Sequence, residues 1–153
     1  MRSSNGRIEI SLTQAEADAL ITMSKTFADT APISLPPGVD ETRGLIGADP
    51  KERFLLDIWR GTIRLSKLRF QMRGRQIIVL VRLCIDGAPH TNPDGERFGG
   101  SHLHLYREGF DDKWAQLLDT IRFPNTLDRW RTFEDFCGFC NIMCLPPFQG
   151  GFV

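Results

Sequence analysis

The fold is decided by residues 53–86, which read RFLLDIWRGTIRLSKLRFQMRGRQIIVLVRLCID. Apolar and polar side chains alternate through most of this stretch, and a period of two is typical of strands that bury one face. Turn residues separate the strands at Gly61-Thr62, Arg73-Gly74-Arg75 and Asp86-Gly87. The phase of the alternation slips at Ser66–Lys67, which predicts a β-bulge or a kink there. We therefore expect a run of antiparallel strands.

Helical patterns flank these strands. Two overlapping capping boxes lie near the N terminus, namely Ser11 with Gln14 and Thr13 with Glu16. They predict a first helix near residues 13–27. Further along the chain, Asp111 can cap a short helix, and an apolar stripe at helical spacing predicts another helix at about residues 126–143.

The order of these elements defines the expected architecture. His102 to Tyr106 alternates cleanly and supplies a fourth strand. We expect a single α+β domain over residues 1–153, built on an antiparallel four-stranded meander with the N-terminal helix and two C-terminal helices packed on one face. Residues 28–51 contain several Pro and Gly, and we interpret them as a long loop excursion.

The composition excludes several classes of protein. The chain has 153 residues, of which 41% are hydrophobic, and it contains 11 Phe and 3 Trp, which is enough apolar surface to form a core. The longest apolar run, Ile77–Val81, is too short to cross a bilayer, and no signal-peptide pattern opens the sequence. We expect a soluble cytoplasmic protein with no membrane partner.

The charge is unevenly distributed along the chain. Residues 53–82 carry eight Lys and Arg against Asp57 alone, so this segment has a charge of +7 and the rest of the neutral chain has −7. One interpretation is a surface for nucleic acid or for an acidic partner. The other is that the acidic remainder of the chain folds back and neutralises the basic strands.

One face of the predicted sheet collects the chemically active residues. Because Leu103 and Leu105 are expected to face the core, the alternation places His102, His104 and Tyr106 on the opposite face. The same rule, with His90 on the preceding loop, extends the set to Arg69, Gln71, Arg73, Arg82 and His90. All three histidines of the chain are therefore expected on one side of the sheet.

These residues fit RNA cleavage without a metal or other cofactor. We expect His90, His102, His104 or Tyr106 to take the proton of a 2′-hydroxyl. The phosphate, or alternatively a protein partner, would be bound by Arg69, Gln71, Arg73 and Arg82.

Two other interpretations of the histidines stay open. An H-x-H pair on a strand points both imidazoles to one face, so His90, His102 and His104 could bind a divalent metal such as zinc, with Asp94 as a fourth ligand. Alternatively, the histidines only satisfy loop carbonyls or cap the Asn92–Gly95 turn.

The cysteines offer a second candidate site. Cys137, Cys140 and Cys144 fall on the apolar stripe of the predicted last helix, where buried cysteine acts as a small hydrophobe. Metal binding and redox chemistry are the alternatives for this C-x-x-C pattern. Cys84 lies within a strand, and we expect it in the core.

Three segments resemble an uncharacterised family of small bacterial and prophage proteins, over roughly residues 52–145. They are RLCIDG at 82–87, HTNPDG at 90–95 and HLHLYREG at 102–109. The arrangement is also similar, more loosely, to toxins of the RelE/ParE kind from toxin–antitoxin modules. This resemblance implies no established catalytic residues.

Two functions follow from these observations. The first is a ribonuclease or phosphodiesterase-like toxin that acts on RNA or a ribonucleoprotein. The second is a non-catalytic, phage-encoded inhibitor of host defence, similar in role to anti-CRISPR proteins. Its partner would be a protein or a ribonucleoprotein, just as an antitoxin would partner the toxin, and the sequence leaves the oligomeric state open.

Overall fold

The computed structural model describes residues 11–150, and most of their regular structure is β. The elements are, in chain order, α1 (Gln14–Thr22), β1 (Lys25–Phe27), β2 (Asp40–Gly47), β3 (Arg53–Arg60), β4 (Leu68–Gly74), β5 (Ile78–Ile85), β6 (His90–Thr91), β7 (Arg97–Phe98), β8 (His102–Leu105), β9 (Ala115–Leu117), α2 (Arg129–Phe139) and β10 (Ile142–Met143). Eight strands form one sheet in the order β10-β1-β2-β3-β4-β5-β8-β9, while β6 and β7 form a separate hairpin. Neighbours in the large sheet are antiparallel, except that β1 and β10 are parallel.

The predicted four-stranded meander with three helices is wrong, because the described residues form two helices and a mixed sheet of eight strands. The expected loop excursion at 28–51 contains β2, which pairs along its length with β3. Only Leu45 and Gly47 are buried in this strand, so its alternation is hardly visible in the sequence. The short helix expected after Asp111 is replaced by β9, an edge strand of three residues. Both strands form because a neighbouring strand supplies their hydrogen bonds. The local sequence contains no pattern that predicts this pairing.

The phase slip at Ser66–Lys67 comes from the connection between two strands and not from a bulge. Residues 61–67 connect β3 to β4, and Ile63 in this connection is 98% exposed, so the bulge predicted at Ser66–Lys67 does not occur. The register shifts instead between β4 and β5, where β5 inserts one extra residue opposite the Met72–Arg73 step. As a result, the consecutive residues Leu80 and Val81 are both buried.

The core lies between one face of the large sheet and the two helices. Phe70 at the centre of β4 packs against α2, with its ring centroid 5.2 Å from that of Phe133 and 5.9 Å from that of Phe136. At the end of the same strand, Leu20 of α1 lies close to Gly74 on the same face of the sheet. Both helices therefore cover the same face, and we call the opposite one the open face.

The first helix begins as its sequence predicts and ends earlier. The Thr13 side chain accepts a hydrogen bond from the Glu16 N–H, and the Glu16 carboxylate accepts one from the Thr13 N–H, which completes a capping box. The helix ends at Thr22 because Lys25 already belongs to β1, which adds to the edge of β2. The later helix is likewise shorter than expected and begins after the N-cap Asp128. Within the described residues, neither helix is long and apolar enough to cross a membrane.

A buried lysine ties the two helices to the sheet. Lys25 in β1 is 0% exposed, and its Nζ donates hydrogen bonds to the carbonyls of Ile21 at 2.9 Å, Met23 at 2.7 Å and Cys140 at 2.8 Å. These carbonyls lie at the C-terminal ends of α1 and α2, where the helix dipole favours a cation. Burial lowers the pKa of Lys25 to about 8, so the ammonium form persists at neutral pH. One side chain thus satisfies carbonyls at both helix ends.

Replacing this lysine tests its structural role. We expect Lys25→Met to lower the free energy of unfolding by about 3 kcal/mol, because it leaves buried carbonyls without donors. Urea denaturation measures the change. The exposed Lys51 offers a matched control, and we expect Lys51→Met to change stability by less than about 0.5 kcal/mol. Equal losses in the two variants would contradict the role assigned to Lys25.

Candidate functional site

Two rows of side chains cross the open face of the sheet. Each row runs through β2, β3, β4, β5, β8 and β9, because paired residues in a ladder point to the same side. In that strand order, the first row consists of Thr42, Asp57, Gln71, Arg82, His104 and Ala115. The second row consists of Asp40, Trp59, Arg69, Cys84, His102 and Leu117. The rows bring predicted site residues from three strands into adjacent positions.

The loop between β5 and β8 folds over one end of these rows. Asn92 fixes this loop to the edge strand, since its Nδ2 donates to the Ala115 carbonyl and its Oδ1 accepts from the Ala115 N–H, both at 2.8 Å. At the base of the loop, the Gly87 N–H donates to the Gly100 carbonyl at 2.9 Å. Gly100 is required there because a Cβ would overlap the Gly87 carbonyl oxygen. The loop is therefore held in one position and forms a wall beside the two rows.

The wall brings the three histidines together. His90 in β6 has its ring centroid 5.6 Å from that of His102 and 4.6 Å from that of His104, and the last two are 4.8 Å apart. Both residues on β8 are almost fully covered, at 2% exposure each, whereas His90 is half-buried. The sequence prediction that these three side chains share one side of the sheet agrees with this geometry.

Each histidine has a defined tautomer. A backbone carbonyl can only accept, so the ring nitrogen that contacts it must carry the proton. His102 Nδ1 donates to the Gly99 carbonyl at 2.7 Å, and His104 Nδ1 donates to the Asp112 carbonyl at 2.8 Å. His90 Nε2 donates to the Lys113 carbonyl at 2.8 Å. In the neutral form of each ring, the second nitrogen keeps a lone pair.

The environment keeps the two buried imidazoles neutral. Burial lowers the pKa of His104 to about 4, and the nearby Arg82 guanidinium contributes in the same direction. Burial also lowers the pKa of His102, although its hydrogen bond to the Gly99 carbonyl opposes that change. Both rings are therefore lone-pair donors at neutral pH.

Cys84 joins this group, contrary to the expectation that it lies in the core. It is paired with His102 in the β5–β8 ladder and shares the open face with Arg82. The thiol sulfur and one nitrogen from each of His102 and His104 all lie within 4.8 Å of one another. Burial raises the pKa of the Cys84 thiol, with Arg82 and Arg69 opposing it. The sequence signal for this placement was the i, i+2 spacing of Cys84 from Arg82.

Two of the predicted arginines form ion pairs with acidic residues of the protein itself. Arg82 Nη1 contacts the Asp112 carboxylate at 2.6 Å, and Arg73 binds both carboxylate oxygens of Asp57, at 2.8 and 2.9 Å. Burial raises the pKa of Asp57, but hydrogen bonds from Arg73, Thr42 and Gln71 outweigh it and lower the pKa below its usual value. Arg73 is thus held by the protein itself, and Asp57 and Asp112 are partners that the sequence did not identify.

Two cations at the rim have no such compensation. Arg69 and Lys67 both lie against the Trp59 ring, at 5.0 Å and 5.5 Å from its centroid. Neither forms an ion pair with any residue in the described part of the chain. They border a cleft of about 510 Å³ whose lining also includes Gln71, Arg82, Cys84, His90, His102 and His104.

Three of the predicted site residues do not line the cleft, namely Arg73, Tyr106 and Asp94. Tyr106 belongs to the core, where its hydroxyl accepts from the Leu12 N–H at 2.9 Å and donates to the Leu12 carbonyl at 2.8 Å. Tyr106 does not continue the side-chain alternation of β8. Its N–H donates to the carbonyl of Leu80, which is the extra residue of the β5 bulge. Asp94, the proposed fourth metal ligand, lies in an exposed turn and accepts from the Glu96 N–H.

The neutralisation expected for the basic segment is partial. Four of its eight cations are paired with acidic residues, namely Arg64 with Asp86, Arg73 with Asp57, Arg75 with Glu16 and Glu52, and Arg82 with Asp112. Arg60 is buried and donates to the carbonyls of Leu35 and Leu65. Among the described residues, Lys67 and Arg69 at the cleft rim and Arg53 away from it are the cations of this segment that are neither ion-paired nor buried.

The C-x-x-C pair lies apart from the cleft. Cys137 and Cys140 are fully buried in the core, as the helical stripe predicts. Burial raises the pKa of the Cys140 thiol to about 12 and also raises that of Cys137. Cys144 is exposed after α2 rather than part of its stripe.

Comparison with known proteins yields a family without an assigned function. The model of a family of unknown function, DUF6978, matches residues 12–142. The match extends further toward the N terminus than the resemblance seen in the sequence. No curated protein and no solved structure matches the chain. The similarity to RelE/ParE-like toxins therefore stays a prediction.

The Asn92 clamp leads to a stability prediction. Asn92→Asp keeps the size of the side chain but replaces the donor to the Ala115 carbonyl with an oxygen. We expect a loss of about 2 kcal/mol in the free energy of unfolding at neutral pH, because two buried oxygens then face each other. The exposed Asn125→Asp is the matched control and should change stability by less than about 0.5 kcal/mol. Urea denaturation of both variants distinguishes a clamp from an incidental contact.

Proposed function

Since the chain belongs to the DUF6978 family, whose function is unknown, the cleft itself is the guide, and we propose that the cleft binds the phosphates of RNA. The proposal depends on one observation, which is that Lys67 and Arg69 border the cleft without an acidic partner among the described residues. Cations that the fold leaves uncompensated favour an anionic ligand.

Two adjacent rim cations favour a polyanion over a simple counter-ion. Below them, the Gln71 amide donates to Asp57 and the Arg82 guanidinium is paired with Asp112, so the floor of the cleft adds polar groups that the protein already engages. Arginine can contact a phosphate through two N–H groups, which a single point charge cannot do. Lys67 and Arg69, which lie against the same Trp59 ring, suit consecutive phosphates of one strand.

The shape of the surface favours a single strand. The open face is a sheet surface with Trp59 beside the cations, and single-stranded RNA is commonly bound on such faces by stacking and by backbone contacts. Asp40 and Asp57 also line the cleft, and their negative charge limits where the backbone can pass. The strand is therefore expected to follow the side of the cleft that carries Lys67 and Arg69.

Cleavage of the bound RNA is a second activity, separate from binding. The half-buried His90 is the imidazole a bound phosphate reaches most easily, since His102 and His104 are nearly fully covered. Tyr106 contributes nothing here because its hydroxyl is bonded within the core. If the RNA stays intact, the same rim fits the alternative function, a non-catalytic inhibitor that binds a ribonucleoprotein of the host.

Charge reversal at the rim tests the proposal. We expect Lys67→Glu combined with Arg69→Glu to weaken binding of a fluorescent single-stranded RNA at least tenfold in anisotropy titrations. The dependence of log affinity on log salt should also become shallower by about 1.4, because two phosphate contacts are lost. The control is Arg53→Glu, an exposed cation of the same basic segment that does not line the cleft, and it should retain wild-type affinity.

Two results would count against an RNA-binding cleft. One is binding that does not respond to salt, and the other is an equal loss of affinity in the Arg53→Glu control. The same mixtures, run on denaturing gels with and without EDTA, separate the enzyme from the inhibitor. Products formed in EDTA support metal-free cleavage, whereas intact RNA with retained affinity supports stoichiometric binding.

A further inference from the structure

We propose that Cys84, His102 and His104 form a zinc site at the floor of the cleft. The site differs from the metal site that the sequence left open as an alternative, because a thiol replaces Asp94 and His90 is not a ligand. Imidazole nitrogen and thiolate sulfur are ligand types that zinc sites in proteins commonly use. The proposal does not depend on RNA binding, since it concerns residues below the cationic rim.

The ladder between β5 and β8 places the three donors. Cys84 and His102 are directly paired across the two strands, and His104 follows two residues later on the same side. Their potential ligand atoms lie within 4.8 Å of one another. Zinc bonds of about 2.0–2.3 Å place tetrahedral ligands about 3.5 Å apart, so binding needs closure of only about 1 Å. A rotation of the half-buried Cys84 side chain can supply much of this movement.

The second ring nitrogens are already held as a metal site requires. His102 donates its Nδ1 hydrogen to the Gly99 carbonyl at 2.7 Å, and His104 donates its own to the Asp112 carbonyl at 2.8 Å. Imidazoles that bind metals usually donate the other N–H to a carbonyl or carboxylate, which fixes the ring and the tautomer. In both residues the nitrogen left with a lone pair is therefore Nε2, which has no backbone partner among residues 11–150.

The charge around the site permits a cation. Arg82 lies close to His104, with Nη2 3.5 Å from Nδ1, but both atoms carry hydrogens and the contact is not a hydrogen bond. The guanidinium is neutralised by the Asp112 carboxylate at 2.6 Å. When zinc binds, the Cys84 thiol releases its proton to solvent and a zinc–sulfur bond forms, so one positive charge is cancelled locally.

Three protein ligands leave one zinc position open. The cleft lies above the three donors, so a water molecule can occupy that position. Catalytic zinc sites have this form, whereas structural sites use four protein ligands. A bound water next to the rim cations would give the cleft a nucleophile, which is the chemistry that a phosphodiester would require.

The experiment uses the reduced full-length chain and two metals. After dialysis against zinc and then metal-free buffer, we expect about one zinc per chain by elemental analysis, and added zinc should raise the melting temperature. Replacing zinc with Co²⁺ should produce a thiolate-to-cobalt charge-transfer band together with the visible absorption of a tetrahedral site. A wild-type chain that retains no zinc and shows no cobalt band overturns the proposal without any variant.

Variants identify the ligands. Cys84→Ser should abolish the charge-transfer band and weaken zinc binding at least a hundredfold, and His104→Gln should weaken it similarly. The matched control is Cys144→Ser, which removes an exposed thiol outside the group and should leave the band and the stoichiometry unchanged. A band that survives Cys84→Ser would overturn the assignment, because the thiolate would then come from Cys137, Cys140 or Cys144.

The outcome is separate from that of RNA binding. The Lys67→Glu and Arg69→Glu variant should bind one zinc ion as the wild type does, since neither residue is a donor. Loss of zinc in that variant would contradict the site, whereas loss of RNA affinity with zinc retained is the expected result. Each proposal can therefore fail while the other holds.

Discussion

The whole structure depends on the antiparallel register of β3, β4, β5 and β8. In this register, Gln71, Arg82 and His104 lie side by side, and so do Arg69, Cys84 and His102. The neighbouring residues on each strand point to the helices. A slip of one residue in any of these strands would move its polar side chains into the core and its apolar side chains to the surface. The hydrophobic free energy of one face therefore maintains the geometry of the other.

The two faces of the sheet contribute differently to the stability of the fold. The covered face has a close-packed aromatic centre at Phe70, and the buried Lys25 satisfies carbonyls of both helix ends. The open face contains neutral imidazoles taken out of water, which cost stability, and two rim cations that have no acidic partner within residues 11–150. Such groups concentrate at functional sites, because ligands rather than the fold compensate them.

Sequence reasoning identified the side of the sheet correctly but not every member of the site. Alternation places His102, His104 and Arg82 together, because a strand reverses its side chains at every residue. The same rule was wrong for Tyr106, since the bulge in β5 turns the chain where β8 ends. The rule also puts Cys84 on the side of Arg82, but Cys84 was assigned to the core because it lies within a strand. Strands β2 and β9 were missed because their hydrogen bonds come from neighbours distant in sequence.

By itself, the sequence determined the local elements with strong patterns, such as the capping box at Thr13 and the alternation of β4, because these depend on neighbours within a few residues. It also determined which residues of one strand share a side. Only the tertiary structure decided which strands are adjacent, where the β5 bulge falls and how Asn92 holds the loop over the histidines. These features depend on contacts between residues far apart along the chain. Their free energy comes from the whole sheet, and no short window of sequence contains it.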